Sequence, residues 1–185
     1  MKSKRSFHIL TWRGFSLRAR YHAIWSSLLL WVLLLALGRA LGLDWSAAVG
    51  FSLAATAIHW FSEFWHHFGH WLAGKAAGYP MNGLLLVYVL AVGRYPQDEP
   101  QLPARIHIQR ALGGPLTSLL LTLAAGALAG RLWPGGGAGA YVAAFAFLDN
   151  LLVFTLGALL PLGFTDGSTL LYWWPRRGRK DFPKT

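Results

Sequence analysis

The residues best equipped for chemistry are three histidines in the run His66-His67-Phe68-Gly69-His70. On a helix, residues four apart stand about one turn above one another on the same face, so His66 and His70 are spaced to share one metal ion. In an H-E-x-x-H helix such a pair binds zinc, and the glutamate after the first histidine serves as general base toward the metal-activated water. Here that position is His67. The spacing predicts a metal site, and the missing carboxylate argues against the hydrolysis such a site normally performs.

The same predicted helix carries His59 and Glu63, and at about 100° per residue all five side chains fall in one stripe. Ionisable residues in or beside a membrane span are costly and normally face a partner or a wet cavity, which makes the stripe a candidate site. The competing structural reading is a histidine-rich interfacial helix bonded to headgroups and loops. Catalytic zinc takes three protein ligands and keeps a fourth position open. The helix supplies two. Of the seven acidic residues, Asp44 lies at the far end of the helix, while Asp98, Glu99 and Asp181 sit in hydrophilic segments. That leaves Glu63, Asp149 and Asp166 as possible partners. Glu63, one turn before His66, is expected to accept an imidazole N–H from a metal-bound histidine, with a fourth ligand or a displaced base as alternatives. Asp149 is placed to pair with His59 or His67. His8, His22 and His107 read as surface residues.

The elements that must position these groups are helical and apolar. Of 185 residues, 55% are hydrophobic and 13% charged, too apolar for an ordinary soluble domain. The pattern predicts an all-α polytopic membrane protein, one domain over 1–185, with four spans at 23–43, 46–73, 106–128 and 138–160. Residues 1–22 form a basic cytoplasmic-face hairpin, turning at Arg13-Gly14. Residues 161–185 hold a short amphipathic piece after Pro161 and a basic tail. The apolar run from Leu84 to Val92 is too short to span as a helix and is expected to be a strand pairing with that hairpin. Counting about 1.5 Å per residue from Ser46, His66 lies roughly 30 Å along its helix, toward the cytoplasmic end.

The formal charge of +10 does not point to nucleic acid, because the cations cluster outside the apolar runs. Six Lys and Arg lie in residues 1–20, four in the link between the second and third spans (Lys75, Arg94, Arg105, Arg110) and five in 176–185, against Arg39 and Arg131 on the other side. Fifteen against two predicts both termini in the cytoplasm of a bacterial inner membrane, with lipids as obligate partners. The ten tryptophans suit interfacial belts, and the absence of cysteine excludes thiolate metal sites and cysteine nucleophiles.

Four ordered stretches resemble the site-2 protease family of intramembrane zinc metalloproteases in its four-span form. Trp12-Arg13-Gly14-Phe15-Ser16-Leu17-Arg18 is similar to the family's G-I-P-I-R strand. His66 to Ala73 is similar to its H-E-x-G-H-x-x-A helix, Ala111-Leu112-Gly113-Gly114-Pro115 to its A-G-P element, and Leu159-Leu160-Pro161 with Asp166-Gly167 to its N-L-L-P-x-x-x-L-D-G motif. The resemblance implies one zinc ion held by His66, His70 and Asp166. Taken alone, Asp166 also reads as an N-cap of the short helix after it.

The chain departs from the family at His67, at Ala158 in place of the asparagine, and at Leu162-Gly163-Phe164-Thr165. These departures lead to the expectation of a metal-binding but proteolytically inactive homologue, acting as a binding or scaffolding subunit. One alternative is a working zinc metalloendopeptidase on a transmembrane protein substrate, with His67 or Glu63 as a non-standard base. Another is an accessory subunit of a larger pigment- or haem-bearing membrane complex, its histidines ligating a porphyrin or holding no cofactor.

Overall fold

The computed structural model describes residues 6–178. The cations at positions 2, 4, 5, 179, 180 and 184, and Asp181, lie outside the described residues.

Helix α1 (Tyr21–Ala40) is a leucine-rich run without charge until Arg39, ended by Gly42 in the left-handed region at φ +83°. Helix α2 (Trp45–Ala76) has 32 residues, about 48 Å of helix. Asp44 caps it, its carboxylate accepting the Ala47 N–H at 2.8 Å, a bond that holds this carboxyl below its usual range. Helix α3 (Ala104–Leu132) contains Pro115. Helix α4 (Gly137–Asp149) runs on as a widened π-helical stretch from Asn150 to Gly157, so the predicted fourth span is not one uniform helix. Helix α5 (Asp166–Trp173) follows the break at Pro161.

Among the described residues, three segments are long and apolar enough to cross a membrane: Tyr21–Ala40, Ala104–Gly135 and Gly137–Gly157. Helix α2 has the length but carries the polar stripe. Polarity in the bundle is inverted relative to a soluble protein. Ser52, Ser62, Ser118 and Asn150 are fully buried, while Leu120 and Leu123 are each 63% exposed. Outward leucine over an inward polar lining is what a lipid surround selects. At the end away from the histidines, Leu34, Phe51, Ala48 and Ala55 form an apolar core against Tyr141, Val142 and Phe145.

Strands β1 (Ser6–Trp12), β2 (Phe15–Arg20), β3 (Gly83–Val87) and β4 (Leu90–Arg94) form one sheet in that order. The β1–β2 hairpin turns at Arg13-Gly14, both with positive φ, as a two-residue turn of matching twist demands. Strand β3 runs parallel to β2, from Ser16↔Gly83 to Ala19↔Leu86, and antiparallel to β4. The expected single strand over 84–92 is therefore a hairpin folded at Tyr88-Val89. Its turn contains no glycine, asparagine, aspartate or proline, and Tyr88 takes φ +58°. An apolar run with no turn residue reads as unbroken.

Candidate metal centre

Helices α2 and α3 meet through glycine. A Cβ on Gly69 would collide with the Gly113 carbonyl and the Thr117 hydroxyl, and one on Gly113 would come within 2.8 Å of Ala73 Cβ. Bare backbone allows the axes to close, as in membrane helix pairs generally. The Trp65 indole N–H donates to the Thr117 carbonyl at 2.9 Å along the same seam. Closure brings α3 groups against both histidines. His70 Nδ1 donates to the Arg110 carbonyl at 2.7 Å, and His66 Nδ1 lies 3.0 Å from the Ser118 hydroxyl. With its proton on Nδ1, His70 presents the lone pair of Nε2 inward.

Asp166 arrives from α5. Thr165 donates its hydroxyl to the Leu160 carbonyl and accepts Leu162 N–H, while Ser168 accepts Gly163 N–H at 2.7 Å, so side chains tie down the break after α4. Gly167 lies against the Leu159 and Leu160 backbone, where a Cβ would stand 2.9 Å from the Leu160 carbonyl carbon. The residue flanking α5 is Thr165, so Asp166 is not its N-cap. The Asp166 carboxylate faces the histidines instead.

Three donors converge. His66 Nε2 and His70 Nε2 are 3.0 Å apart, and Asp166 Oδ2 is 3.1 Å from the first and 3.3 Å from the second. A tetrahedral zinc with bonds near 2.0–2.1 Å places its ligands about 3.3 Å apart. These three are the His, Asp and Glu group so arranged among the described residues. Gly114 makes the room: a Cβ there would stand 2.5 Å from His66 Nε2 and also press on His70 Nε2. The donor set, its spacing and this cradle fit a zinc ion.

The far end of α5 is also anchored. Trp173 stacks on His107 of α3, ring centroids 4.2 Å apart and planes within 3°. Because Asp166 is the first residue of α5, loosening its last turn should loosen a ligand. An aromatic pair contributes about 0.5–1.5 kcal/mol beyond burial, so Trp173→Ala is expected to weaken zinc binding up to roughly tenfold, with Trp173→Phe restoring it. Chelator competition measures this directly.

His67 stands beside the converging donors, and Glu63 has another partner than expected. The His67 ring centroid lies 5.5 Å from those of His66 and His70, outside the converging donors. Its Nδ1 donates to the Glu63 carbonyl at 3.0 Å and lies 3.5 Å from the Glu63 carboxylate. Glu63 does not accept from a metal-facing imidazole. Those N–H positions belong to Ser118 and the Arg110 carbonyl, and the Glu63 carboxylate takes the Ala91 N–H of β4. Asp149 pairs with His59, both carboxylate oxygens 3.2 Å from Nδ1.

Arg110, counted above as a topology cation, is buried. Its guanidinium pairs with Glu99, 3.0 Å from Nη1 to Oε2, and lies over the Tyr95 ring at 4.1 Å. His8 bonds Thr11, and exposed His22 stacks on Tyr88. Ser118 and the Arg110 carbonyl had no signal in the sequence, whereas Gly113-Gly114 stood within a recognised element.

No protein-family model and no curated protein matches the chain. Among solved structures it is similar to the Site-2 Protease from Methanocaldococcus jannaschii, with a TM-score of 0.59 and 16% identity, over 94% of this chain and 73% of that one. The chain has a site-2 protease-like fold, and at this identity the likeness speaks for the fold alone.

Proposed function

We propose that this chain is a membrane-embedded, zinc-binding homologue of the site-2 metalloproteases that has lost proteolysis and serves as a binding or scaffolding subunit. The observation that carries the reading is the disposition of the two residues nearest the general-base role. His67 occupies the carboxylate's position, and Glu63 is committed to a backbone N–H of β4.

Zinc bound by His66, His70 and Asp166 would act as a Lewis acid toward a carbonyl and a water. Ser118 and the Arg110 carbonyl orient the imidazoles, and Gly114 leaves the approach open. What the site lacks is a carboxylate to accept a proton and return it to the leaving amine, a contribution of about 10² to 10⁴-fold in rate. The charge distribution supports cytoplasmic termini in a bacterial inner membrane, and the partners are lipids and a transmembrane protein.

One observation favours a second reading, a working protease with an imidazole base. His67 spends its Nδ1 proton on the Glu63 carbonyl, which leaves the Nε2 lone pair unused. Cleavage of a model transmembrane peptide decides between the two. The wild type is expected to show no chelator-sensitive cleavage, and His67→Glu to gain it, by roughly 100-fold over background or more. Robust chelator-sensitive cleavage by the wild type would overturn the inactive reading.

A further inference from the structure

A second group of ionisable side chains, His59, Asp149 and Glu63, is buried in the bundle beside the metal ligands, and the proposed function gives it no positive role. Glu63 is 2% exposed, His59 5% and Asp149 8%. His59 stands two turns before His66, about 10 Å along α2. Burying such groups in a membrane bundle is costly unless each is matched by a partner.

Here the partners come largely from one element. The Val89 carbonyl accepts from His59 Nε2 at 2.7 Å, and Ala91 N–H donates to Glu63. The Tyr88 ring stacks on His22 of α1, centroids 5.4 Å apart. All three contacts fall on the tip and returning strand of the β3–β4 hairpin. Strand β3 is held on β2, but the tip and the edge strand β4 have no further strand among the described residues to fix their seat. The hairpin sequence from Leu84 to Val92 is apolar throughout, its turn holds Tyr88 in a left-handed conformation, and β4 is the last strand of its sheet. A uniformly apolar strand specifies its position weakly. The buried polar groups supply directional contacts that the strand sequence lacks.

We propose that His59, Asp149 and Glu63 are positioning residues. Together they form a polar latch that seats the β3–β4 hairpin against α2, with Asp149 of α4 bracing His59, and sets β4 beside His67 as a wall of the metal site. Gly93 of β4 already lies there, its Cβ position 3.9 Å from the His67 ring. Each residue has a distinct part. His59 faces two acceptors, the Asp149 carboxylate and the Val89 carbonyl, so the pair holds one proton more than a neutral imidazole and a carboxylate. Asp149 keeps the ring aimed at Val89. Glu63 closes the outer edge of β4 at Ala91. Asparagine at 149 preserves the arrangement, because its amide N–H donates to Nδ1 while Nε2–H stays on Val89.

Hydrogen exchange on the detergent-purified full chain tests the latch, with zinc content measured on the same samples. The double variant His59→Leu/Asp149→Leu removes both charges together, a replacement that buried pairs often tolerate. Its peptides over 83–94 are expected to exchange at least about tenfold faster than wild type, with α1 and α3 unchanged. Asp149→Asn is expected to stay within about threefold of wild type. Glu63→Leu, which leaves the His59–Asp149 pair in place, is expected to accelerate residues 90–94. Unchanged hairpin exchange in the double variant and in Glu63→Leu overturns the proposal. So does acceleration spread evenly over the helices, or Asp149→Asn exchanging as fast as the double variant. Loss of zinc from the wild type would count against the metal site and leave the latch standing.

Discussion

Gly114→Ala is expected to abolish stoichiometric zinc binding while the helical bundle stays assembled. The added methyl would stand 2.5 Å from His66 Nε2 and press equally on His70 Nε2, in the volume where an ion must sit about 2.0–2.1 Å from each. The two helices are packed backbone to backbone at Gly69 and Gly113, the residues next to His70 and Gly114, so there is little slack beside the methyl to make room. The two imidazole tips must swing aside, an overpacking cost of about 1–3 kcal/mol that alanine's better helix propensity offsets by up to about 1 kcal/mol, so the metal-free protein should stay folded with only a modestly lower melting temperature. Metal lost and fold retained is a signature that general destabilisation does not produce. Zinc measured by elemental analysis beside a thermal melt reads both. Stoichiometric zinc of unchanged affinity in Gly114→Ala would mean that the ion, if any, binds elsewhere.

The second large effect is expected at the ligands. His70→Ala and Asp166→Ala should each weaken zinc binding by more than about 100-fold, beyond what loss of a residue supporting a ligand costs. The two variants differ instructively. His70→Ala also frees the Arg110 carbonyl inside the bundle and should lower stability. Asp166 is half-buried at the start of a short helix, and its loss should be felt mainly through the metal. If neither change lowers zinc content, the ligand assignment fails.

Much of this site was legible in the residues. The i, i+4 histidine pair follows from helix geometry, which is local, and the inward stripe from His59 to His70 follows from the same period. All five of its residues are buried. The glycines of three motifs turn out to be places where a Cβ has no room: Gly69 and Gly113 between helices, Gly114 over the ligands, Gly167 under the end of the preceding helix. Other features left no such trace. The hairpin at Tyr88-Val89 uses no turn residue, and Arg110 looks like any interfacial cation until Glu99 and Tyr95 close around it.

What the sequence by itself determined is a membrane protein with a two-histidine helix and no glutamate between the histidines. Hydropathy and helical period depend on residues a few positions apart. It also pointed to Asp166 as the candidate third ligand, and only resemblance singled that residue out. Only the tertiary structure brought Asp166 to His66, 100 positions away, through the tied-down loop after α4 and the glycine seam between α2 and α3. It also decided where Glu63 points. A buried carboxylate goes to whichever donor the fold leaves without a partner, and that donor, the Ala91 N–H, exists only once the apolar run has folded back on itself.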